Sequence, residues 1–208
     1  MIFENLLILN ILLVIFLFVV PPFLFYFNLV KYKYRFYALT GITIIAINIM
    51  LLEEWSLADV GLRLDNFVPD IIPYALFTIA ISILLIVISR NILGKDHQVR
   101  WWTNQHLLWG FIPISFFQEF LFRSFLIPLL HNIFVSAIII VLVNAFLFML
   151  IHVIYKHTLV DMLMVFLEGI LLATMYVIYP NLILIALAHS AHNFIAYYYN
   201  YFNQSKFN

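Results

Sequence analysis

Three polar residues, Gln118, Glu119 and Arg123, interrupt an otherwise apolar run, FFQEFLFRSF, at 116–125. A carboxylate and a guanidinium are costly inside a membrane, so such residues usually face a bundle interior and mark a functional site. Glu119 and Arg123 are one helical turn apart, which puts them on one helix face where they can pair. Gln118 lies about 100° round the helix, at the edge of that face. A purely structural ion pair is the alternative explanation.

Two further predicted helices carry polar residues at helical spacing. Asn144, Phe148 and His152 follow one another at i+4 steps and form one stripe. His189 and Asn193 are also four residues apart and share a face. A single His near a helix end is more often a packing or interfacial residue than a catalyst, which is the simpler explanation for His152. Three polar faces can converge only inside a helix bundle, and we expect them to form one site there.

Hydrolysis of a peptide bond inside the membrane would need the groups that these helices offer. A carboxylate or an imidazole can take a proton from water. His189 and Asn193 can donate to the oxyanion that forms at the scissile carbonyl. Competing chemistries lack their motifs, since the sequence has no H-E-x-x-H, no G-x-S-x-G and no cysteine. Serine catalysis is also disfavoured, because nothing orients a Ser–His pair, and Ser115, Ser124 and Ser190 are interpreted as packing residues.

The elements that must position these residues are predicted to be membrane helices. Of the 208 residues, 66% are hydrophobic and 10% are charged, against about 45–50% and about 25% in soluble domains. The formal net charge is zero, so the composition does not favour nucleic-acid binding. The sequence therefore predicts a polytopic membrane protein, with the lipid bilayer and no nucleic acid among its partners.

Apolar runs of about 20 residues predict an all-α transmembrane bundle of about seven spans. The predicted spans are 5–29, 37–52, 71–89, 107–130, 134–154, 160–179 and 182–202. The polar site is expected between spans four, five and seven. No repeat or break in composition divides the chain, so we expect a single transmembrane domain over 1–208. The polar stretch at 53–70 is predicted to lie along the membrane surface.

Basic residues in the loops predict the orientation in a cell membrane. When seven spans alternate, eight of these residues fall on one side, and cytoplasmic loops carry an excess of Lys and Arg. We therefore expect the N-terminus outside and the C-terminus in the cytoplasm. The eight residues are Lys31, Lys33, Arg35, Arg90, Lys95, Arg100, Lys156 and Lys206.

The three motifs together resemble those of the CAAX-protease and bacteriocin-processing group of intramembrane endopeptidases, also called CPBP or Abi, which includes the Ras-converting CAAX endopeptidase. The pattern of that group is Glu-Glu-x-x-x-Arg, then Phe-x-x-x-His, then His-x-x-x-Asn, each on its own helix. The same order and spacing occur here within a peptidase-like core at about 105–200. The matching residues are Gln118-Glu119 with Arg123, Phe148 with His152, and His189 with Asn193.

The resemblance implies roles for these positions. The first Glu and the His of Phe-x-x-x-His would activate water, the later His and Asn would stabilise the oxyanion, and the second Glu and the Arg would support the site. It also implies a membrane-associated peptide or protein as substrate. It favours a mechanism without a cofactor, although it leaves metal binding open.

Gln118 departs from the pattern, because it occupies the position of the first Glu. An amide does not accept a proton near neutral pH. Three explanations stay open: Glu119 or His152 acts as the base, the chain is a catalytically silent relative that binds a membrane peptide or enzyme as an immunity or regulatory protein would, or a Glu has been replaced to silence a base. The leading prediction is an intramembrane peptidase in which Glu119 and His152 activate water. In this prediction His189 and Asn193 donate to the oxyanion, and Arg123 fixes Glu119. A transporter would predict inverted repeats and interrupted helices, which are not visible.

Overall fold

A computed structural model describes residues 2–92, 94, 105–155 and 158–199. Within these residues the chain is helical, and the predicted all-α fold with about seven membrane helices is confirmed. Six described helices are long and apolar enough to cross a membrane, and another apolar helix of 17 residues is shorter. We label the seven α1 to α7 in chain order: Leu6–Tyr26, Tyr32–Leu52, Phe67–Ile92, Phe111–His131, Ala137–Tyr155, Leu159–Ile178 and Leu182–Tyr198.

The helix that contains α4 has three parts. An α-helical segment, Gln105–Glu119, is followed by a π-helical segment, Phe120–Phe125, and a final α-helical segment, Leu126–His131. The π segment begins directly after Glu119. In a π turn the backbone bonds from i to i+5 rather than i to i+4, and such turns occur frequently at functional sites. The sequence did not indicate this change.

The N-terminal helix has a similar interruption. Its α-helical segments Ile2–Val14 and Val20–Tyr26 are joined by a π-helical segment, Ile15–Val19. Pro21 and Pro22 lie in the first turn of the second α segment. Proline has no backbone N–H and cannot continue an α-helical ladder, which accounts for an irregularity one turn before these residues.

The chain folds into two compact units. The first comprises Met1–Val60 and Phe120–Ile178, and therefore contains α1, α2, the later part of α4, α5 and α6. A close helix contact in this unit joins α5 and α6, where a Cβ added to Gly169 would lie 3.1 Å from the Ala145 Cα. A glycine is therefore needed for the backbones to approach this closely.

The second unit comprises Gly61–Glu119 and Tyr179–Asn208, with α3, the earlier part of α4 and α7. In this unit α7 packs against both α3 and the helical segment that ends at Glu119. The start of α7 is held by Asn181, whose Oδ1 accepts from the Leu184 N–H at 3.1 Å. The Asn181 Nδ2 donates to the Arg63 carbonyl at 3.2 Å and to the Asn66 Oδ1 at 3.0 Å.

The polar stretch at 53–70 is irregular over most of its length, and its position along the membrane surface stays a prediction. The structure has turns and bends between α2 and Asn66, and α3 begins at Phe67 rather than near residue 71. Asp70, expected in the loop, lies in the first turn of α3 and is buried. A carboxylate in a first helical turn interacts favourably with the helix dipole, so the helix can begin before the apolar run does.

Candidate functional site

Glu119 and His189 lie against each other in the second unit. The Glu119 Oε1 is 2.8 Å from the His189 Nδ1, and the exposed fractions of the two side chains are 0% and 2%. Glu119 ends the α-helical part that precedes the π segment, and His189 lies in the middle of α7. A carboxylate oxygen and a bare imidazole lone pair would repel at this distance, so at least one of the two groups carries a proton.

Asn193 and Ser115 form a second contact between the same helices. The Asn193 Nδ2 donates to the Ser115 Oγ at 3.0 Å, and Ser115 is fully buried. Ser115 lies one turn before Glu119, whereas Asn193 lies one turn after His189. The order of the two contacts along α4 is therefore the reverse of their order along α7, as expected for two antiparallel helices. They fix the register of α7 against the first part of α4.

Gln118 lies in this unit beside Glu119 and is partly exposed, whereas Glu119 is fully buried. The two adjacent side chains therefore have different surroundings, as expected for neighbours about 100° apart on a helix. The structure thus puts four of the predicted site residues, Gln118, Glu119, His189 and Asn193, in one compact unit.

Arg123 belongs to the first unit, where Asn144 holds it. The Arg123 guanidinium donates through Nη1 to the Asn144 Oδ1, and the Asn144 Nδ2 donates to the Phe122 carbonyl. Arg123 and Asn144 are both fully buried. Since Phe122 and Arg123 are both in the π segment, Asn144 of α5 satisfies a backbone carbonyl and a side chain of that segment together.

Phe148 connects Arg123 to His152. The Arg123 Cζ lies 5.1 Å from the centre of the Phe148 ring, within cation–π range. The Phe148 ring centre is 5.0 Å from that of His152 and 5.3 Å from that of Phe122. The predicted stripe along α5 is therefore a continuous set of contacts in the first unit.

The backbone sets the tautomer of a neutral His152. Its Nδ1 lies 2.8 Å from the Phe148 carbonyl oxygen, which can only accept, so Nδ1 carries the proton. Nε2 of the neutral ring then has the lone pair and can accept a proton. His152 follows the last α-helical turn of α5, where the chain continues as a 3-10 turn, His152–Tyr155, and its side chain is partly exposed.

The three serines named by the sequence have partners other than histidine. Ser115 accepts from Asn193, the Ser124 Oγ lies 3.3 Å from the Tyr176 Oη, and the Ser190 Oγ donates to the Ala186 carbonyl at 2.6 Å. A Ser–His nucleophile requires a hydrogen bond between the two side chains. These contacts agree with the sequence interpretation that serine does not carry the chemistry.

The remaining histidine of this part of α7 packs against an aromatic ring. His192 is buried, and its ring centre is 5.6 Å from that of Phe77 on α3. Within the described residues, no group of three or more His, Cys, Asp or Glu could hold a metal ion. That the candidate site works without a cofactor stays a prediction.

Sequence reasoning missed two residues of this arrangement. Ser115 was regarded as a packing residue, although its position one turn before Glu119 puts it on the same helix face. Asn144 was recognised in the α5 stripe, but nothing local indicated that it would bind Arg123 and the Phe122 carbonyl. The predicted pairing of Glu119 with Arg123 and the predicted joint action of Glu119 with His152 stay predictions.

Comparison with known proteins supports the resemblance stated from the motifs. Residues 100–195, just under half of the chain, match the family described as Type II CAAX prenyl endopeptidase Rce1-like. All six predicted site residues lie within this range. No curated protein and no solved structure matches the chain. The resemblance stated from the motifs is confirmed over residues 100–195, which are similar to the type II CAAX prenyl endopeptidases of the Rce1-like family.

Proposed function

We propose that this chain is an intramembrane endopeptidase that cleaves a membrane-associated peptide with an activated water. The observation that carries the proposal is the buried 2.8 Å contact between Glu119 and His189, within a region that matches a protease family. A buried carboxylate and imidazole in a membrane protein are costly and are functional by default. The helices that carry them are held in register by the contact between Asn193 and Ser115.

The Glu119–His189 pair supports both halves of a hydrolysis. In its ion-paired form, Glu119 is a carboxylate that can accept a proton from water. His189 is then an imidazolium whose Nε2–H can donate to an oxyanion while Nδ1 remains against Glu119. Asn193 has two Nδ2 hydrogens, one of which serves Ser115 and leaves the other for the oxyanion. The proton taken from water would finally pass to the leaving amine.

We propose His152 as the second group that activates water. Its Nδ1–H is directed to the Phe148 carbonyl, which leaves Nε2 as the acceptor. Arg123 has a supporting role, because Asn144 and the Phe148 ring hold its guanidinium. In this proposal the site needs no cofactor.

One observation favours a second candidate function, a catalytically silent relative that binds a membrane peptide or enzyme. Gln118 stands where the family pattern has its first Glu, and an amide can hold a water but cannot take its proton. If Gln118 has silenced the site, restoring a carboxylate at 118 should restore turnover. If Glu119 is the base, a second carboxylate beside it would compete for the same proton and add little.

The test compares the native chain, Gln118→Glu and Glu119→Gln in liposomes against a panel of membrane-anchored peptides. General-base catalysis contributes about 10²–10⁴-fold, so we expect Glu119→Gln to lower turnover by at least about 100-fold. Glu53→Gln, the same change at an exposed turn, is the matched control and should keep native turnover.

The outcomes separate the two functions. Cleavage by the native chain that Glu119→Gln abolishes supports the peptidase with Glu119 as base. Cleavage by Gln118→Glu alone, at least about tenfold above the native chain, indicates a silenced protease. Native cleavage that survives Glu119→Gln would refute the assignment of Glu119 as base. No cleavage by any of the three would favour the binding protein.

A further inference from the structure

Residues 31–35, called the basic loop here, connect α1 to α2 and include the first turn of α2; they carry a cluster of positive charge in the first unit. Lys31, Lys33 and Arg35 lie within five residues and are exposed. The sequence has no Asp or Glu between residues 5 and 52. Within the described part of the chain, no carboxylate forms an ion pair with any of the three side chains. Their charge is therefore available to an external anion.

Aromatic rings, rather than carboxylates, hold two of these cations. The Arg35 Cζ lies 4.1 Å from the centre of the Tyr32 ring, and the Arg35 Nη1 donates to the Tyr32 carbonyl at 3.4 Å. The Lys33 Nζ lies 5.1 Å from the centre of the Tyr34 ring. A cation over a ring keeps its full charge and its remaining N–H donors. The loop thus orients the basic groups without neutralising them.

The loop also has a fixed support. The Tyr32 ring packs edge-on against Tyr155 at the end of α5, with 6.0 Å between ring centres. Tyr155 in turn lies 5.9 Å, between ring centres, from His152. Arg35 is therefore attached through Tyr32 to the end of a membrane helix, which lowers the entropy lost when a ligand orders it.

The position of the loop selects the kind of anion. The loop joins the end of one apolar helix, α1, to the start of the next, so it lies where membrane helices meet the headgroup region. Tyr34, Phe36 and Tyr37 have exposed fractions of 44%, 59% and 73%. Exposed aromatic residues of this kind are typical of membrane interfaces. The anion that is present at this depth in quantity is a lipid phosphate.

We propose that Lys31, Lys33 and Arg35, supported by Tyr32, form a binding surface for the headgroups of anionic phospholipids. A phosphate offers several acceptor oxygens to the Arg35 fork and to the two ammonium groups. Zwitterionic lipids carry a compensating positive group and would bind this surface less well. The surface does not depend on the proposed peptidase activity.

The test uses the full chain in liposomes of phosphatidylcholine with a minor fraction of phosphatidylglycerol. The probes are spin-labelled forms of the two lipids, and their relative association with the protein is measured by electron paramagnetic resonance. Each Lys or Arg near the surface contributes about fivefold to the attraction of an anionic membrane. We expect Lys31→Gln, Lys33→Gln and Arg35→Gln combined to lower the preference for phosphatidylglycerol at least about tenfold.

Controls separate this surface from general charge effects. Combined Lys31→Arg and Lys33→Arg keep the charge and should keep the preference. Arg63→Gln, in the loop after α2, removes a guanidinium already paired with Asp65 and should change it little. If the triple variant does not fold, Lys33→Gln alone should lower the preference about fivefold, since this side chain is exposed and its ammonium lies over a neighbouring ring.

Three results would overturn the proposal. The first is a native chain that does not prefer phosphatidylglycerol over phosphatidylcholine. The second is a folded triple variant, or a folded Lys33→Gln, that keeps the native preference, and the third concerns salt. Raising the salt concentration should weaken the preference of the native chain, because exposed charges are screened. A preference that salt leaves unchanged would also count against electrostatic headgroup binding.

Discussion

Replacing Asn144 by leucine tests whether this residue holds the π segment of α4. The change keeps a side chain of similar size but removes the bond to Arg123 and the bond to the Phe122 carbonyl. A buried carbonyl left without a donor costs about 1–3 kcal/mol, and a lost bond to a charged group about 1.5–3 kcal/mol. Bonds between membrane helices average less, about 0.6 kcal/mol. We therefore expect Asn144→Leu to lower the free energy of unfolding by about 2–4 kcal/mol.

The assay is reversible unfolding of the full chain in detergent, followed by circular dichroism. The matched control is Asn48→Leu, because Asn48 is an exposed residue of α2 in the same unit, and its Nδ2 donates to the Ile44 carbonyl of its own helix at 2.7 Å. That change should lie within about 0.5 kcal/mol of the native value, since it removes a local bond from an exposed surface.

A second variant divides the effect between the two bonds. Asn144→Asp keeps an oxygen for Arg123 but loses the amide that donates to the Phe122 carbonyl. It should therefore lower the free energy of unfolding by less than Asn144→Leu does, and by more than the control Asn48→Leu does. If Asn144→Leu and Asn48→Leu cost the same, then Asn144 does not stabilise the π segment and the reasoning is wrong.

Two further predictions concern the close helix contact and the exposed turn. Gly169→Ala should lower the free energy of unfolding by about 1–3 kcal/mol, because the added Cβ would lie 3.2 Å from the Phe148 Cδ1. The control is Gly41→Ala, whose Cβ would enter open space and which should be neutral or stabilising. Equal effects of the two changes on unfolding in detergent would contradict this prediction. Hydrogen bonds from Ser56 hold the pKa of Asp59 below its usual value. These bonds therefore stabilise the folded protein at pH values above the pKa that Asp59 has in the unfolded chain, and this stabilisation is lost as the pH falls through the pKa of Asp59 in the folded protein. Ser56→Ala should raise the Asp59 pKa measured by NMR, and an unchanged pKa would refute the assignment.

Local sequence determined much of the architecture. Hydropathy alone predicts about seven apolar helices, since a spanning segment must satisfy its own backbone hydrogen bonds and be apolar over its whole length. The i+4 spacing also predicted that Phe148 and His152 would lie together, and they do, because both are on one helix. The motifs predicted the resemblance to the family that residues 100–195 match, since the order and spacing of the motifs are properties of the chain itself.

Only the tertiary structure decided which polar groups meet across helices. The chain carries no local signal that His189 would contact Glu119, that Asn193 would bond to Ser115, or that Asn144 would hold Arg123. These pairs are 21 to 78 residues apart, and their geometry depends on how the helices pack.

The π segment after Glu119 was also beyond the sequence. The residues at 120–125 suit an α-helix as well as a π-helix by composition, so propensity does not choose between them. In the folded unit the Phe122 carbonyl has a donor in Asn144, which comes from α5. A change of helical register becomes stable when a neighbouring helix satisfies the backbone group that it exposes, and only packing supplies that neighbour.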